Sequence, residues 1–168
     1  MRTRLFIILF LCLPLCVLAD NGYDDIGDFF KFCSTAKSPG LRHTYVSKLM
    51  MKRVSSLPAG EFDLKPIYDK IDFIQSVYVM PGSEKGEVCL QKVDNLPEEA
   101  VESGFKCVFS LNKEGQQSQI FIKSGEGGLN SMLMINVCHS LDGNLDYAVV
   151  ALIGGVFSHD EILSLMNF

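Results

Sequence analysis

The side chains of this chain that could carry chemistry include six cysteines, three histidines and one Ser-His-Asp run. Ser158, His159 and Asp160 have the residue types of a hydrolase triad, but the groups of a triad converge from separate segments. Consecutive residues at a helix start point in different directions. Ser158 followed by Glu161 three residues later matches a capping box, which predicts the start of a closing helix. The sequence therefore predicts a structural role for this run.

A cysteine nucleophile needs a histidine within hydrogen-bond reach. Cys138 and His139 are consecutive in a predicted strand, so their side chains should face opposite sides. Cys33 and His43 come from different predicted elements, and their pairing stays geometrically open. We predict no catalytic residue, and a cysteine-dependent hydrolase is the alternative.

Metal and cofactor sites are not predicted either. The histidines are dispersed, and no His-x-x-x-His or Cys-x-x-Cys pair is present. The glycine-rich run at 125–128 lacks the following Lys-Ser/Thr of a phosphate loop, and Gly154 and Gly155 lack the dinucleotide-binding spacing. We interpret both glycine groups as turns with positive φ. We predict no metal and no cofactor, and a metal-dependent hydrolase is the alternative.

The N-terminal segment has the layout of a secretory signal peptide. Arg2 and Arg4 precede an apolar run at 5–18, and small residues precede a processing site between Ala19 and Asp20. The run is shorter than the ~20 residues that a membrane-spanning helix needs. We predict a signal peptide at 1–19 and a single domain at 20–168, exported to the periplasm or secreted.

Two anchored forms are the alternatives to this soluble product. A lipoprotein needs a small residue near the cysteine that is lipidated, and Leu15 stands directly before Cys16. A lipid anchor is therefore less favoured than processing after Ala19, and an uncleaved leader is the third form. No later stretch is long and apolar enough to predict a transmembrane span.

Four cysteines follow the predicted processing site, and they are the candidate disulfide residues: Cys33, Cys89, Cys107 and Cys138. Four cysteines in an exported chain allow three pairings into two disulfides, and the sequence does not choose among them. Cys107 and Cys138 lie in apolar strand patterns, where a buried free thiol is equally favoured. One bridge or none is favoured over two.

The charge of the chain bears on its partners. The formal net charge is −5, and removal of Arg2 and Arg4 leaves 13 basic against 20 acidic residues, a net charge of −7. Binding of nucleic acid needs clustered Lys and Arg, so the acidity disfavours that partner. The tyrosines at 45, 68, 78 and 147 form no recognisable sugar-stacking platform.

Local patterns predict an α+β fold, with an antiparallel sheet of four to six strands and helices packed on one face. Ile26, Phe29, Phe30 and Cys33 form the apolar stripe of a first helix. Pro97 is interpreted as part of the first turn of a helix capped at Asp94 or Asn95. The predicted helices cover 23–36, 48–56, a turn at 63–71, 94–103 and the closing segment from 158. The predicted strands cover 43–47, 73–80, 105–111, 118–123, 130–139 and 145–153, the last four as a meander.

Three segments resemble a family of small exported Bacteroidetes proteins, catalogued as domain of unknown function 4252. They are residues 43–50, 71–79 and 151–158. The resemblance implies an envelope location and an α+β domain, and it supplies no catalytic residues. Members are often encoded near extracytoplasmic sigma and anti-sigma factors, which implies a signalling or stress role. Many members look like lipoproteins, and this chain departs from them at Leu15.

These observations favour a non-enzymatic exported domain that binds an unknown protein or small ligand in the cell envelope. The hydrolase described above is one alternative. A structural or assembly role is the other, and an exposed strand edge that mediates oligomers would favour it. The sequence leaves the ligand and the oligomeric state open.

Overall fold

The computed structural model describes residues 24–54, 69–140, 142–158 and 160–161. The predicted signal peptide and its predicted processing site between Ala19 and Asp20 lie outside these residues, as do most of the predicted turn at 63–71 and most of the predicted closing helix. The helices are α1 (Asp24–Thr35), α2 (Lys48–Val54) and α3 (Glu84–Glu102). The strands are β1 (Leu41–Ser47), β2 (Ile71–Val79), β3 (Lys106–Lys113), β4 (Gln116–Ser124), β5 (Asn130–His139) and β6 (Leu145–Gly155).

The six strands form one antiparallel sheet in the order β1-β2-β6-β5-β4-β3. The last four strands are the predicted meander, because each pairs with the next along the chain. The connection through α3 carries the chain from β2 to the far edge at β3. The predicted α+β fold is confirmed.

One face of the sheet, here called the helix-covered face, packs against α1 and α3. Its core is built from alternate strand residues and from the apolar stripes of the two helices. Phe30 from α1, Leu96 from α3 and Leu133 from β5 are all almost fully buried there. The predicted stripe of α1 is confirmed, since its four members belong to this cluster.

The other face, here called the opposite face, carries two smaller apolar clusters at one end. Met51 of the short helix α2 packs there with Ile71, and Phe157 packs with Ile122 and Met132. These contacts define the apolar end of the opposite face. Toward the other end of the strands the same face becomes polar.

Helix α3 corrects the predicted start at Asp94 or Asn95. It begins ten residues earlier, after Ser83, whose side chain accepts a hydrogen bond from the Gly86 amide at 3.1 Å. Pro97 lies in the interior of the helix rather than in its first turn. A proline there costs about 3 kcal/mol of helix stability, and burial of the helix's apolar stripe against the sheet offsets that cost.

The capping box at the closing segment is confirmed. The Glu161 amide donates to Ser158 Oγ at 3.2 Å, and the Ser158 amide donates to Glu161 Oε2 at 2.8 Å. Glu161 also pairs with Lys70, the residue before β2. The start of this segment is thereby fastened to the sheet.

The glycines at the end of β6 correct a second prediction. Gly154 and Gly155 are strand residues without positive φ, and the structure requires them for close approach. A methyl group on Gly154 would overlap the ring of Phe73, and one on Gly155 would overlap the backbone at Lys70. In the other glycine group, Gly128 has the predicted positive φ.

Candidate functional site

The polar end of the opposite face is the candidate functional site. Its side chains come from five strands, and the sheet register places them side by side. Arg42 on β1 pairs with Tyr78 on β2, which pairs with Val149 on β6. The same row continues through Asn136 and Ser118. The members of the polar end are Arg42, Thr44, Ser76, Tyr78, Gln116, Ser118, Asn136, Cys138 and Tyr147.

A cavity of about 430 Å³ lies over β1 and β2 at this end. Arg42 and Thr44 line it from alternate positions of β1, and Ser76 and Tyr78 line it from their paired positions on β2. Met80 and Val149 contribute apolar surface. A volume of this size suits a small ligand, since such sites measure about 300–1,000 Å³.

The charge of this cavity comes from Arg42. Its side chain is exposed, and it has no ion-pair partner among the residues that the structure describes. The guanidinium presents several N–H donors in one plane, a geometry that matches the two oxygens of a carboxylate. Thr44, Ser76 and Tyr78 add hydroxyl groups that both donate and accept.

Two tyrosines and a cysteine adjoin the cavity. The rings of Tyr78 and Tyr147 stack with centroids 5.6 Å apart. Cys138 is paired with Tyr147 across β5 and β6, and a hydrogen bond with Cys138 raises the pKa of the Tyr147 hydroxyl. The neutral phenol places a hydroxyl group beside the Cys138 thiol.

The structure brings two of the four candidate disulfide residues together. Cys33 on α1 and Cys89 on α3 have their sulfur atoms 3.3 Å apart in the core under the helix-covered face. Burial is the main cause that raises the pKa of both thiols. They are therefore neutral thiols, shielded from solvent.

The other two candidate cysteines lie apart. Cys107 is paired with Phe121 on the helix-covered face at the β3 edge, whereas Cys138 lies on the opposite face. Cys107 is exposed and Cys138 is half-buried, so neither is the buried free thiol that the strand patterns allowed as one of two readings. Cys107 lies on the edge strand β3, and Cys138 lies on the face that α1 and α3 do not cover.

Neither candidate cysteine–histidine pair, Cys138 with His139 or Cys33 with His43, forms a hydrogen bond in the described residues. Cys138 and His139 lie on opposite faces, because His139 is paired with Leu145 of the helix-covered core. His43 lies beside Gln75, with 2.9 Å between His43 Nε2 and Gln75 Nε2. Partial burial lowers the pKa of His43. The hydrogen-bond partner of the Cys33 thiol is Cys89 rather than His43.

Sequence reasoning missed the residues that line the cavity. Arg42 and Thr44 alternate with His43 and Tyr45, and this period-two pattern was the available signal for two polar side chains on one face. Arg42 and Thr44 lie beside Tyr78 and Ser76 only because β1 pairs with β2 in this register. The sequence predicts no stacking platform among its tyrosines, whereas the structure stacks Tyr78 on Tyr147.

No helix within the described residues has the length and apolar character to cross a membrane. No group of three metal-ligating side chains occurs among them.

Comparison with known proteins adds no relative. The chain matches no family model, no curated protein and no solved structure.

Proposed function

We propose that this protein is an exported, non-enzymatic binding domain of the cell envelope, and that the cavity lined by Arg42 holds a small carboxylate-bearing ligand. The observation that carries the proposal is a guanidinium with no ion-pair partner among the described residues, beside three hydroxyl groups around a cavity of about 430 Å³. The resemblance to exported envelope proteins supports the location.

The strands hold these groups in place before a ligand arrives. Arg42 and Thr44 share one strand, and Ser76 and Tyr78 lie opposite them in register. Backbone pairing fixes the spacing of the four side chains, so binding orders only the side-chain ends. Such pre-organisation lowers the entropic cost of binding.

The placement of the thiols and imidazoles supports a role without catalysis. Cys33 and Cys89 are buried against each other, and Cys138 lies across from Tyr147 on the opposite face. Among the described residues, no cysteine forms a hydrogen bond with a histidine. The groups around the cavity are donors and acceptors suited to holding a ligand.

The strand edges support monomeric binding over assembly. The β3 edge has Lys106 and Lys113 at its two ends. Antiparallel pairing of two copies about the centre of this strand would place Lys106 opposite Lys113. Like charges at both ends oppose that pairing, and lysines are a common protection of exposed edges.

The test is a binding assay with a defined panel of carboxylates. Citrate, glutamate, glucuronate and an N-acetylated dipeptide are each compared with an uncharged amide or ester by thermal shift and calorimetry. We expect at least one carboxylate to raise Tm where its neutral counterpart does not. A ligand at 100 times its Kd stabilises the fold by about 2.7 kcal/mol, which is several degrees.

A matched pair of variants identifies the site. Arg42→Gln should abolish the shift, whereas Arg53→Gln, which removes the same charge on α2, should retain it. The proposal is wrong if no carboxylate in the panel outperforms its neutral form, or if Arg42→Gln binds as well as the unchanged protein.

A further inference from the structure

The thiol pair in the core under the helix-covered face is independent of the cavity. Cys33 is 2% exposed and Cys89 is 0% exposed, and they come from helices α1 and α3. Their sulfur atoms are 3.3 Å apart. A disulfide bond is about 2.0 Å long, so closing it needs an approach of only ~1.3 Å.

We propose that Cys33 and Cys89 form an interhelical disulfide that fastens α1 onto α3 when the exported chain folds. The inference rests on this geometry and on the predicted export, and it does not depend on the proposed ligand. Among the four candidate cysteines, this geometry favours a single disulfide, between Cys33 and Cys89. Cys107 and Cys138 remain free thiols, because they lie on different faces of the sheet.

The reaction requires a disulfide oxidant, which extracytoplasmic compartments supply as thiol-disulfide oxidoreductases. The thiolate of one cysteine attacks a sulfur of the oxidant's disulfide, which forms a mixed disulfide and releases one oxidant thiol. The thiolate of the second cysteine attacks the first, which closes the Cys33–Cys89 bond and releases the second oxidant thiol. Two electrons pass to the oxidant, and the two protons lost by the cysteines balance those gained by its two sulfurs.

Burial of the two thiols determines whether the disulfide forms before or after the helices pack. In the folded protein the sulfur atoms are out of reach of an oxidant, and burial raises the pKa of both thiols, so few thiolates form. The bond must therefore form before α1 docks onto α3. Once the helices have packed, the same burial protects the bond from reductants.

The bond holds the helix nearest the predicted processing site. Phe32 of α1 lies under the Lys92 ammonium of α3, 5.3 Å from the ring centroid, so the two helices already contact each other beside Cys33. Cys33 and Cys89 are 56 positions apart in the chain. A cross-link over this separation removes much of the freedom of the unfolded chain.

The main experiment maps the thiols of the full chain exported with its own leader into a bacterial periplasm. The protein is alkylated in denaturant without reductant and digested with trypsin. Each candidate cysteine falls in its own tryptic peptide: 32–37, 86–92, 107–113 and the segment from 124 onward. We expect peptides 32–37 and 86–92 to be joined, and Cys107 and Cys138 to carry the alkyl group.

Three further measurements test the bond and the time at which it forms. Dithiothreitol should leave the bond intact in the native protein and break it in urea. Protein reduced in urea and refolded should show a Tm about 8–16 °C below that of the oxidised form. Oxidation of that refolded protein by glutathione disulfide should be roughly tenfold or more faster in urea near its unfolding midpoint.

The variants separate this pair from the other cysteines. Cys107→Ser with Cys138→Ser should keep the cross-linked peptide, whereas Cys33→Ser should lose it. Because Cys33→Ser also places a hydroxyl group in the core, the peptide map of the unchanged protein decides between the outcomes. Alkylation of all four thiols, or a cross-link that includes Cys107 or Cys138, would overturn the proposal.

Discussion

The two faces of the six-stranded sheet differ in what lies against them, although the same strands build both. On the helix-covered face, Val77, Leu133 and Val150 are 0% exposed under α1 and α3. On the opposite face, the apolar end packs against Met51 and Phe157, and the polar end contains a cavity. One face holds the largest apolar cluster, and part of the other face is open around a cavity.

Under the proposed function, the core residues of the sheet and its ligand-binding residues lie on different faces. Alternate residues of β6 face opposite sides, so a change at one position leaves its neighbour's surroundings intact. Variation at the polar end should therefore alter binding at little cost in stability. Pairs of substitutions on the two faces test this separation directly.

The largest expected effect is the loss of a leucine from the helix-covered face. Leu133→Ala should lower the free energy of unfolding by about 3 kcal/mol, because it leaves a cavity in a closed core. Leu111→Ala on β3 removes the same atoms from a side chain that is 40% exposed, and it should cost under ~1 kcal/mol. Urea unfolding measures both values, and equal losses would contradict the contrast between the faces.

The next effect compares neighbours on one strand. Val150→Thr places a hydroxyl group in the helix-covered core without a partner, and it should cost about 2 kcal/mol. Val149→Thr places the same group beside the cavity, where water reaches it, and it should change stability by under ~0.5 kcal/mol. The same urea titration applies, and a reversed order would show that the assigned faces are exchanged.

A smaller effect concerns the segment that follows β6. Ser158→Ala removes the acceptor for the Glu161 amide and should cost about 1 kcal/mol. Ser124→Ala, at an exposed strand end, is the control and should change Tm little. An unchanged Tm for Ser158→Ala would mean that the capping box does not stabilise the segment that packs on the apolar end of the opposite face.

The smallest effect is a pH dependence at the helix-covered face. Partial burial lowers the pKa of His43 below its ordinary value of 6.5, so the unfolded chain binds this proton more readily than the folded one. Stability from this group is complete above pH 6.5 and falls as the pH drops below it. Tm should therefore decrease more between pH 7.5 and 5.8 in the unchanged protein than in His43→Gln. Equal decreases would assign the pH dependence to other groups.

Much of the fold was predictable because its signals are local. The apolar stripe of α1, the alternation in β3 to β6 and the capping box at Ser158 all act over a few residues. The start of α3 was mispredicted because Pro97 resembles a first-turn proline, and only packing against the sheet tolerates it inside a helix. The cavity was not predictable, because the residues that line it come from β1, β2 and β6, which are distant from one another in the chain.

The sequence by itself determined the types of most elements and their order, the acidity of the chain and the set of four candidate cysteines. The tertiary structure decided which residues meet: Cys33 with Cys89, Arg42 with Tyr78, and Tyr78 with Tyr147. The periodicity of apolar residues in the sequence indicates which side of a helix or strand is buried. Contacts between distant segments depend on strand register and helix docking, which the whole core sets together.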